Sequence, residues 1–546
     1  MVRNMEYSSK SLDHLGIVSG VCKEIDLVET INNIVGVDPQ QKVSTGDAVM
    51  AMVINALGFV SKPLYMFPEF METKSVGQLF ANGLVSEDFN DDTLGRALDR
   101  LYENDPTRIF MQISLNALTK LGIKRNFLHL DTTSISVHGE YENGDEDNEP
   151  IKITWGKSKD GNPGLKQYLV SLITATESDL PVWIDALSGN TSDKTHFREV
   201  IKQYSKMLTE TDEIAYFVMD SAMYTDKNIH QVSSDVKWIT RVPETITVAK
   251  ELIIDTDEKD LVKSEMKGYR IKSVSKIYAD VNQKWIVVYS KEGYKAEMKT
   301  FNRNIKKEND KVEKKLWHFK NDEFKCEEDA RDALKKMEGK WKYHMVDEYT
   351  LREKKKTGKR GRPKKNSNDI KIIYQIDASF KKDNDAIETE RKRKGKFILA
   401  TNDLNLDQEV ILKEYKGQQG VERGFRFIKD PMFFTDSTFL KKPQRIVSLV
   451  MIMGLSLLVY SIAQRKLRKA LEKMDETVPN QLGKPTKKPT MRWIFQKFEN
   501  ITLLDINDEG KFSQQILNMK PIHEKILALM GEEYEKIYFL GGGCGK

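Results

Sequence analysis

Apolar residues at helical spacing dominate the first 120 positions of this 546-residue chain. Residues 47–59 form one apolar stretch, and residues 92–121 carry apolar positions three and four residues apart. Pro106 interrupts the second stretch, so two helices or one kinked helix are both consistent with the pattern. We therefore predict a mostly helical N-terminal domain over residues 1–122.

The pattern changes at Arg125 to short apolar and β-branched runs, which are typical of strands. Three such runs lie close together and predict an antiparallel meander, and a helix, a strand, a second helix and a second strand follow. The predicted meander strands are residues 127–137, 168–176 and 180–187, followed by a helix at 193–208, a strand at 215–219, a helix at 227–233 and a strand at 237–242. This order indicates an α/β fold with an RNase H-like catalytic core.

Charged segments interrupt the predicted core. Residues 243–396 consist of short, highly charged segments in which apolar and polar residues alternate, and they predict a β-rich insertion. This insertion separates the first part of the core, 123–242, from the second part, 397–475. We expect residues 476–546 to form a helical C-terminal region.

One stretch without charges, residues 446–463, has the length of a membrane span. It contains a glycine and three serines, and no second span accompanies it. A transmembrane helix and a buried core helix are both possible, and we expect the buried helix and no membrane partner.

Charge is unevenly distributed along the chain, whose net charge is +5. Residues 1–120 hold 10 Lys and Arg against 16 Asp and Glu, whereas residues 345–396 hold 17 against 9. This asymmetry predicts a localised contact with a polyanion. The three cysteines are far apart and lack metal-binding spacing, which favours a reducing compartment, and we expect a cytoplasmic, nucleoid-associated protein.

The most basic segment is Lys354–Lys365, in which 8 of 12 residues are Lys or Arg. Its centre, with Arg360 and Arg362 around a glycine and before a proline, resembles the AT-hook core that places arginines in a narrow minor groove. General attraction to phosphates and a solvated loop are the alternatives.

Three carboxylates stand out by their positions. Asp131 falls inside an apolar strand, Asp220 follows a buried strand, and Glu422 lies on a later helix. Each alone is compatible with a structural or capping role. Brought together, they would repel one another unless divalent cations neutralised them, and such oxygen ligands suit Mg²⁺ or Mn²⁺. The three residues thus predict a site for two metal ions.

The segment around Glu422 predicts a helix with one polar face. Tyr415, Gln418, Glu422 and Lys429 recur at i, i+3, i+7 and i+14, offsets that share a helix face. This face suits a site for a metal and a phosphate, and it also suits a salt bridge on an exposed surface.

The sequences LHLDTTS, FVMDSAMYT and YKGQQGVERGFRFIKD around the three carboxylates resemble those of DDE transposases from prokaryotic insertion sequences. The resemblance is to the group with a Tyr-Arg-Glu-Lys signature and a β-rich insertion before the glutamate. Gln418 stands where that group has arginine. The resemblance implies that Asp131, Asp220 and Glu422 are the catalytic, metal-binding triad and that Tyr415, Gln418 and Lys429 contact the transposon end.

The leading hypothesis is a transposase that cuts DNA at the ends of its element and joins them to target DNA. A metal-dependent nuclease without strand transfer, and a domesticated DNA-binding protein without activity, are the alternatives. Lys157, Lys159 and Lys166 suit contacts with phosphates or an ordinary solvated hairpin. The expected partners are double-stranded DNA, both the terminal inverted repeats and the target, and a second copy of the chain, which the resemblance alone suggests.

Two further residue types could assist on the same surface. His129, two residues before Asp131, could help proton transfer or simply pack in the core. Trp155, Trp183 and Trp238 could stack on bases, with core packing as the alternative for each.

Overall fold

The computed structural model describes residues 5–59, 62–80, 83–141, 149–159, 161–176, 178–208, 215–234, 236–357, 370–433, 440–508 and 511–539. The chain divides into two compact units. Unit 1 comprises Met1–Thr240 and Glu414–Lys546, and unit 2 comprises Arg241–Lys413. The predicted insertion therefore falls within unit 2, and the remaining predicted regions belong almost entirely to unit 1.

The N-terminal part of unit 1 is mostly helical, as the apolar spacing predicts. A strand, β1 (Met5–Ser11), precedes seven helices: α1 (Leu15–Glu24), α2 (Leu27–Val35), α3 (Thr45–Leu57), α4 (Phe67–Glu72), α5 (Val76–Leu79), α6 (Asp91–Glu103) and α7 (Pro106–Lys120). Pro106 is the first residue of α7, where its missing N–H costs nothing, so residues 92–121 form two helices. The side chains of Asn90 and Asp105 cap α6 and α7 by accepting hydrogen bonds from Thr93 and Arg108.

A mixed sheet follows in unit 1. Its strands and helices are β2 (Phe127–Val137), β3 (Lys166–Ala175), β4 (Leu180–Ser188), α8 (Asp193–Leu208), β5 (Tyr216–Met219), α9 (Asp226–Val232) and β6 (Lys237–Val242). The strands lie in the order β4-β3-β2-β5-β6, with β2, β3 and β4 antiparallel and with β5 parallel to both β2 and β6. All of these elements lie within two residues of their predicted bounds, which confirms the predicted meander.

Unit 2 is mixed rather than β-rich. Its elements are α10 (Thr247–Asp255), β7 (Val262–Lys263), β8 (Tyr269–Tyr278), β9 (Val281–Ser290), α11 (Lys291–Phe319), α12 (Glu327–Glu338), β10 (His344–Thr357), β11 (Ile370–Lys382), α13 (Asn384–Arg393) and β12 (Lys396–Thr401). The prediction missed α11, a helix of 29 residues, because few of its residues are buried and the apolar period is hard to see among its lysines.

Two antiparallel arrangements organise unit 2. Strands β12, β9, β8 and β7 pair in that order, and β10 pairs with β11 in a long hairpin. The hairpin packs on α11 and α12 around a small apolar core, which comprises Val312, Leu316, Phe319, Ala330, Leu334 and Ile376.

The C-terminal part returns to unit 1 through α14 (Gln408–Lys416), which crosses the boundary between the units. It continues with α15 (Gln419–Ile428), α16 (Pro443–Lys473), β13 (Val478–Pro479), β14 (Pro485–Thr486), α17 (Met491–Lys497), β15 (Thr502–Asp508), β16 (Lys511–Leu517), α18 (Pro521–Met530) and α19 (Glu532–Phe539). The C-terminal region, which we expect to be helical, contains three helices in its described part and also strands, because β15 pairs with both β1 and β16 in a three-stranded sheet.

The uncharged stretch at residues 446–463 belongs to one continuous helix, α16. This helix contacts β4, α3, α6 and α7, so it lies in the core of unit 1. Of the described helices, α16 alone is long and apolar enough to cross a membrane, but 78% of its most apolar window is buried inside the protein. The structure agrees with the expected core helix.

Two glycines of α1 determine how closely the C-terminal helix α19 packs. A Cβ atom at Gly16 would lie 2.5 Å from the ring of Tyr538, and one at Gly20 would lie 2.6 Å from the ring of Tyr534. Both rings are buried, and their hydroxyls donate to Asp13 O and Glu24 Oε2, so they cannot simply move away. The glycines therefore admit the two rings.

We expect Gly16→Ala and Gly20→Ala to destabilise unit 1 by about 1–3 kcal/mol through overpacking. Alanine is otherwise favoured over glycine within a helix by up to about 1 kcal/mol. Gly77→Ala in α5 is the control, because its Cβ would meet open space. Thermal unfolding should show a lower Tm for the first two variants and an unchanged or higher Tm for the control. A raised Tm for Gly16→Ala would contradict the packing argument.

Candidate active site

Asp131 and Asp220 lie at neighbouring positions of adjacent parallel strands. Strands β2 and β5 pair with Leu130 opposite Met219, and Asp131 and Asp220 are the next residue on each strand. The backbone of Asp220 remains extended, with φ −73° and ψ 165°, so the residue continues the direction of β5. Because paired residues of parallel strands point to the same face and adjacent strands are about 5 Å apart, the two carboxylates share one small region.

Short backbone hydrogen bonds orient both carboxylates. The N–H of Thr132 donates to Asp131 Oδ1 at 2.7 Å, and the N–H of Ser221 donates to Asp220 Oδ1 at 2.6 Å. Thr240 Oγ1 of β6 donates to the carbonyl oxygen of Asp220 at 3.0 Å and holds the end of β5. Asp131 is half-buried and Asp220 is exposed, so both lie at the surface of the sheet.

Helix α15 lies over the same face of the sheet. Leu172 of β3 is paired directly with Asp131, and directly paired residues of antiparallel strands point to the same face. A Cβ atom at Gly424 of α15 would lie 2.8 Å from Leu172 Cδ2, and one at Gly420 would lie 3.5 Å from Thr174 Oγ1. The helix therefore approaches β2 and β3 closely, on the face that carries Asp131.

Glu422 is on this helix but apart from the other two carboxylates. It is exposed, and it follows Gly420 by two residues, which places it nearly opposite Gly420 around the helix. Across the described parts of the chain, no three or more His, Cys, Asp or Glu side chains are grouped closely enough to hold a metal ion. The structure thus brings together Asp131 and Asp220, and the role of Glu422 stays a prediction.

The predicted single helix through Tyr415 and Lys429 is wrong. A turn at Gly417 and Gln418 separates α14 from α15, and the Gly417 N–H donates to Glu414 O at 2.9 Å, which is the spacing of a tighter turn. Lys429 is the residue that follows α15. Tyr415 and Lys429 therefore lie outside the helix that carries Glu422, and the four residues do not share one helix face.

Two family models match the sequence. The transposase DDE domain matches residues 123–460, and a domain of unknown function (DUF4277) matches residues 7–115. The chain belongs to the transposase DDE domain family. This match covers the sheet, α15, unit 2 and most of α16, so the DDE transposase part of the resemblance is confirmed.

Other comparisons add little to this assignment. No curated protein matches the sequence. A cryo-EM structure of the piggyBac transposase synaptic complex with hairpin DNA is similar at 10% sequence identity and a TM-score of 0.35, with 90% of this chain and 82% of that chain covered. This similarity is too low to compare the two structures element by element.

His129 of the transposase domain is a buried residue. It is 1% exposed, neither ring nitrogen has a hydrogen-bond partner, and a Cβ at Gly417 would lie 3.5 Å from its Nε2. Burial lowers the pKa of His129 to about 4. The side chain packs, uncharged at neutral pH, beneath the turn between α14 and α15, which agrees with the core-packing alternative.

The predicted phosphate-binding lysines differ in their surroundings. Lys159 Nζ donates to Thr132 O at 2.9 Å and to Thr132 Oγ1 at 2.5 Å, so its ammonium lies beside the residue that follows Asp131. Lys166 Nζ donates to Tyr141 O and lies 5.1 Å from the ring centroid of Trp155. Lys157 is exposed. Arg360 and Arg362 lie outside the described residues.

The three tryptophans differ in how exposed their side chains are. Trp183 and Trp238 are fully buried, as core packing predicts, whereas Trp155 is 60% exposed. Trp155 is therefore the one of the three that could meet a base.

Sequence reasoning missed the residues that hold α15 on the sheet. Gly420 and Gly424 contact the sheet. Arg423 Nη2 donates at 2.6 Å to Oδ2 of Asp179, which lies in the turn between β3 and β4. The spacing of two glycines four residues apart in a short helix is a signal of close packing. No local pattern indicates the Asp179 contact, which joins residues 244 positions apart.

Proposed function

We propose that this protein is a DDE transposase that cleaves DNA at the ends of its own element and joins the freed 3′ ends to target DNA. The observation that carries the proposal is that Asp131, within β2, lies beside Asp220, at the end of the parallel strand β5, inside the matched transposase DDE domain. The strand order β4-β3-β2-β5-β6, with three antiparallel strands and then two parallel ones, supports an RNase H-like core.

The chemistry of the donor set suits divalent cations. Two carboxylates about one strand spacing apart repel each other, and their oxygens are the ligands that Mg²⁺ and Mn²⁺ prefer. We propose that Asp131 and Asp220 hold the two metal ions and that Glu422 completes the ligand set. When bound, the ions would supply charge neutralisation at the scissile phosphate and an activated oxygen nucleophile.

The remaining residues of the site would bind and orient DNA. Lys157 is exposed and can reach a phosphate, whereas Lys159 and Lys166 lie on the same segment with their ammoniums engaged by the chain. Tyr415, Gln418 and Lys429, which flank α15, would contact the transposon end. A homodimer would hold two ends together, and we place the protein in the cytoplasm with the nucleoid.

The test uses a plasmid that carries the element's own terminal inverted repeats, identified from the genomic sequence that flanks the gene. With Mg²⁺, we expect cuts at the repeat ends and, with a second plasmid, covalent joining of repeat ends to target DNA. Joined products that disappear with EDTA support transposition. Cutting that never yields joined products would indicate a nuclease, and equal cutting of plasmids with scrambled repeats would contradict the proposal.

A further inference from the structure

Asp179 contacts α15 in two ways from the turn between β3 and β4. Its Oδ2 accepts from Arg423 Nη2 at 2.6 Å, and its Oδ1 lies so close to Gly420 that a Cβ there would be 2.5 Å away. The residue has a left-handed backbone with φ 56°, and its N–H donates to Ala175 O at 2.9 Å. The turn therefore presents the carboxylate to the first turn of α15 from a defined position.

Strand β3 connects this contact to Asp131. Leu172 of β3 is paired with Asp131 and lies against Gly424. Strand β3 ends at Ala175, whose carbonyl oxygen accepts the backbone hydrogen bond from Asp179. Strand β3 therefore pairs with the strand that carries Asp131 and, through two contacts, also restrains the position of α15. The contact at Gly424 limits the distance of the helix from the sheet, and the buried side chains of Val421, Phe425 and Ile428 determine which side of the helix faces the protein interior.

The Asp179–Arg423 pair adds a polar restraint on the rotation of α15 to that of its buried apolar face. Arg423 directly follows Glu422, and successive residues of a helix are separated by about 100°, so fixing one side chain fixes the direction of the other. The two side chains are 43% and 58% exposed, and such pairs contribute at most about 1 kcal/mol to folding. We therefore expect the Asp179–Arg423 pair to affect the orientation of α15 more than the stability of the fold.

We propose that Asp179 is a positioning residue which, through Arg423 and together with the buried face of the helix, restrains the rotation of α15 and thereby the direction in which Glu422 is presented for metal binding. The inference rests on the proposed function, because it takes Glu422 as the third metal ligand. Asp179 lies outside the signature of the family. The proposal also explains the two glycines of the helix, which allow α15 to approach Asp179 and β3 closely.

The test measures binding of Mn²⁺ to the full-length protein by electron paramagnetic resonance, without DNA. Asp179→Asn removes the charge and keeps a residue type that tolerates the left-handed backbone. We expect Asp179→Asn and Arg423→Gln each to weaken Mn²⁺ binding about tenfold, as outer partners of metal ligands do, and Arg423→Lys to retain most of the affinity. The Tm without metal should stay near that of the parent.

A double variant tests whether Asp179 affects Mn²⁺ binding through Glu422. In a Glu422→Gln background, Asp179→Asn should weaken Mn²⁺ binding no further, because both changes remove the same contribution. Glu476→Gln is the matched control: Glu476 forms an ion pair of similar exposure with Lys525, 2.7 Å long, near the C-terminus, and its loss should leave Mn²⁺ binding unchanged.

Three outcomes would decide against the inference or against its basis. Parental Mn²⁺ affinity in Asp179→Asn would overturn the positioning role. A further loss in the Glu422→Gln background would show that Asp179 acts by another route and would overturn it as well. If Asp131→Asn left Mn²⁺ binding intact, the metal site itself, and with it the proposed function, would be wrong.

Discussion

Asp131→Asn and Asp220→Asn are each expected to abolish cleavage of the element ends while binding of the same DNA persists. Each substitution keeps the shape of the side chain but removes the negative charge that a divalent cation requires. We expect a loss of at least about 1,000-fold in the cleavage rate, equivalent to about 4 kcal/mol in the activation barrier. Cleavage is measured on labelled ends with Mg²⁺, and binding by gel shift with Ca²⁺.

Glu422→Gln is expected to cause a loss of the same order, and it is the more informative substitution. Glu422 is exposed on α15, nearly opposite the sheet-facing Gly420, and among the described residues it is not in a group with Asp131 and Asp220. Asp226→Asn is a suitable control, because Asp226 is exposed in the first turn of α9, six residues beyond Asp220. A variant that cleaves within about tenfold of the parent would remove its residue from the proposed metal site.

The strands of the sheet in unit 1 were among the most predictable parts of the fold. The bounds of β2 and β6 agree with prediction at both ends, because a run of apolar and β-branched residues between polar turns is a local signal. Asp131 and Asp220 could be located for the same reason, since each is defined by the strand that contains or precedes it. Their adjacency comes from the parallel pairing of β2 with β5, which no pattern within either strand indicates.

Contacts between distant residues could not be predicted in this way. β1 pairs with β15, so that Met5 lies opposite Asp508, and no periodicity within either segment indicates its partner. Helix α11 was missed because only a few of its residues are buried, so its apolar positions give a weak helical pattern, and tertiary packing stabilises it. The break at Gly417 was missed because the offsets of polar residues are compatible with a helix, while the glycine and the tight approach to His129 favour a turn.

The basic segment Lys354–Lys365 provides the second large effect. Its first three lysines lie on β10, which pairs with β11 up to Thr357 and Ile370, and its last five basic residues, Lys359, Arg360, Arg362, Lys364 and Lys365, lie outside the described residues. The long hairpin is anchored on α11 and α12 by the apolar core of unit 2. A rigidly supported hairpin whose two strands are joined in sequence by a basic segment suits a contact with the phosphate backbone of DNA.

We expect replacement of the five basic residues by Ala to weaken binding of all DNA sequences and to reduce its dependence on salt. The slope of log K against log salt concentration falls by about one for every phosphate that the protein no longer neutralises, so the slope should fall by up to about five. Lys356→Ala is the control, because Lys356 Nζ already pairs with Glu323 at 2.7 Å, and a smaller change is expected. Salt titrations on A·T-rich and G·C-rich duplexes separate the mechanisms: weaker binding of A·T-rich DNA alone would indicate a minor-groove hook, and an unchanged slope on both would show that the segment is solvated and binds no DNA.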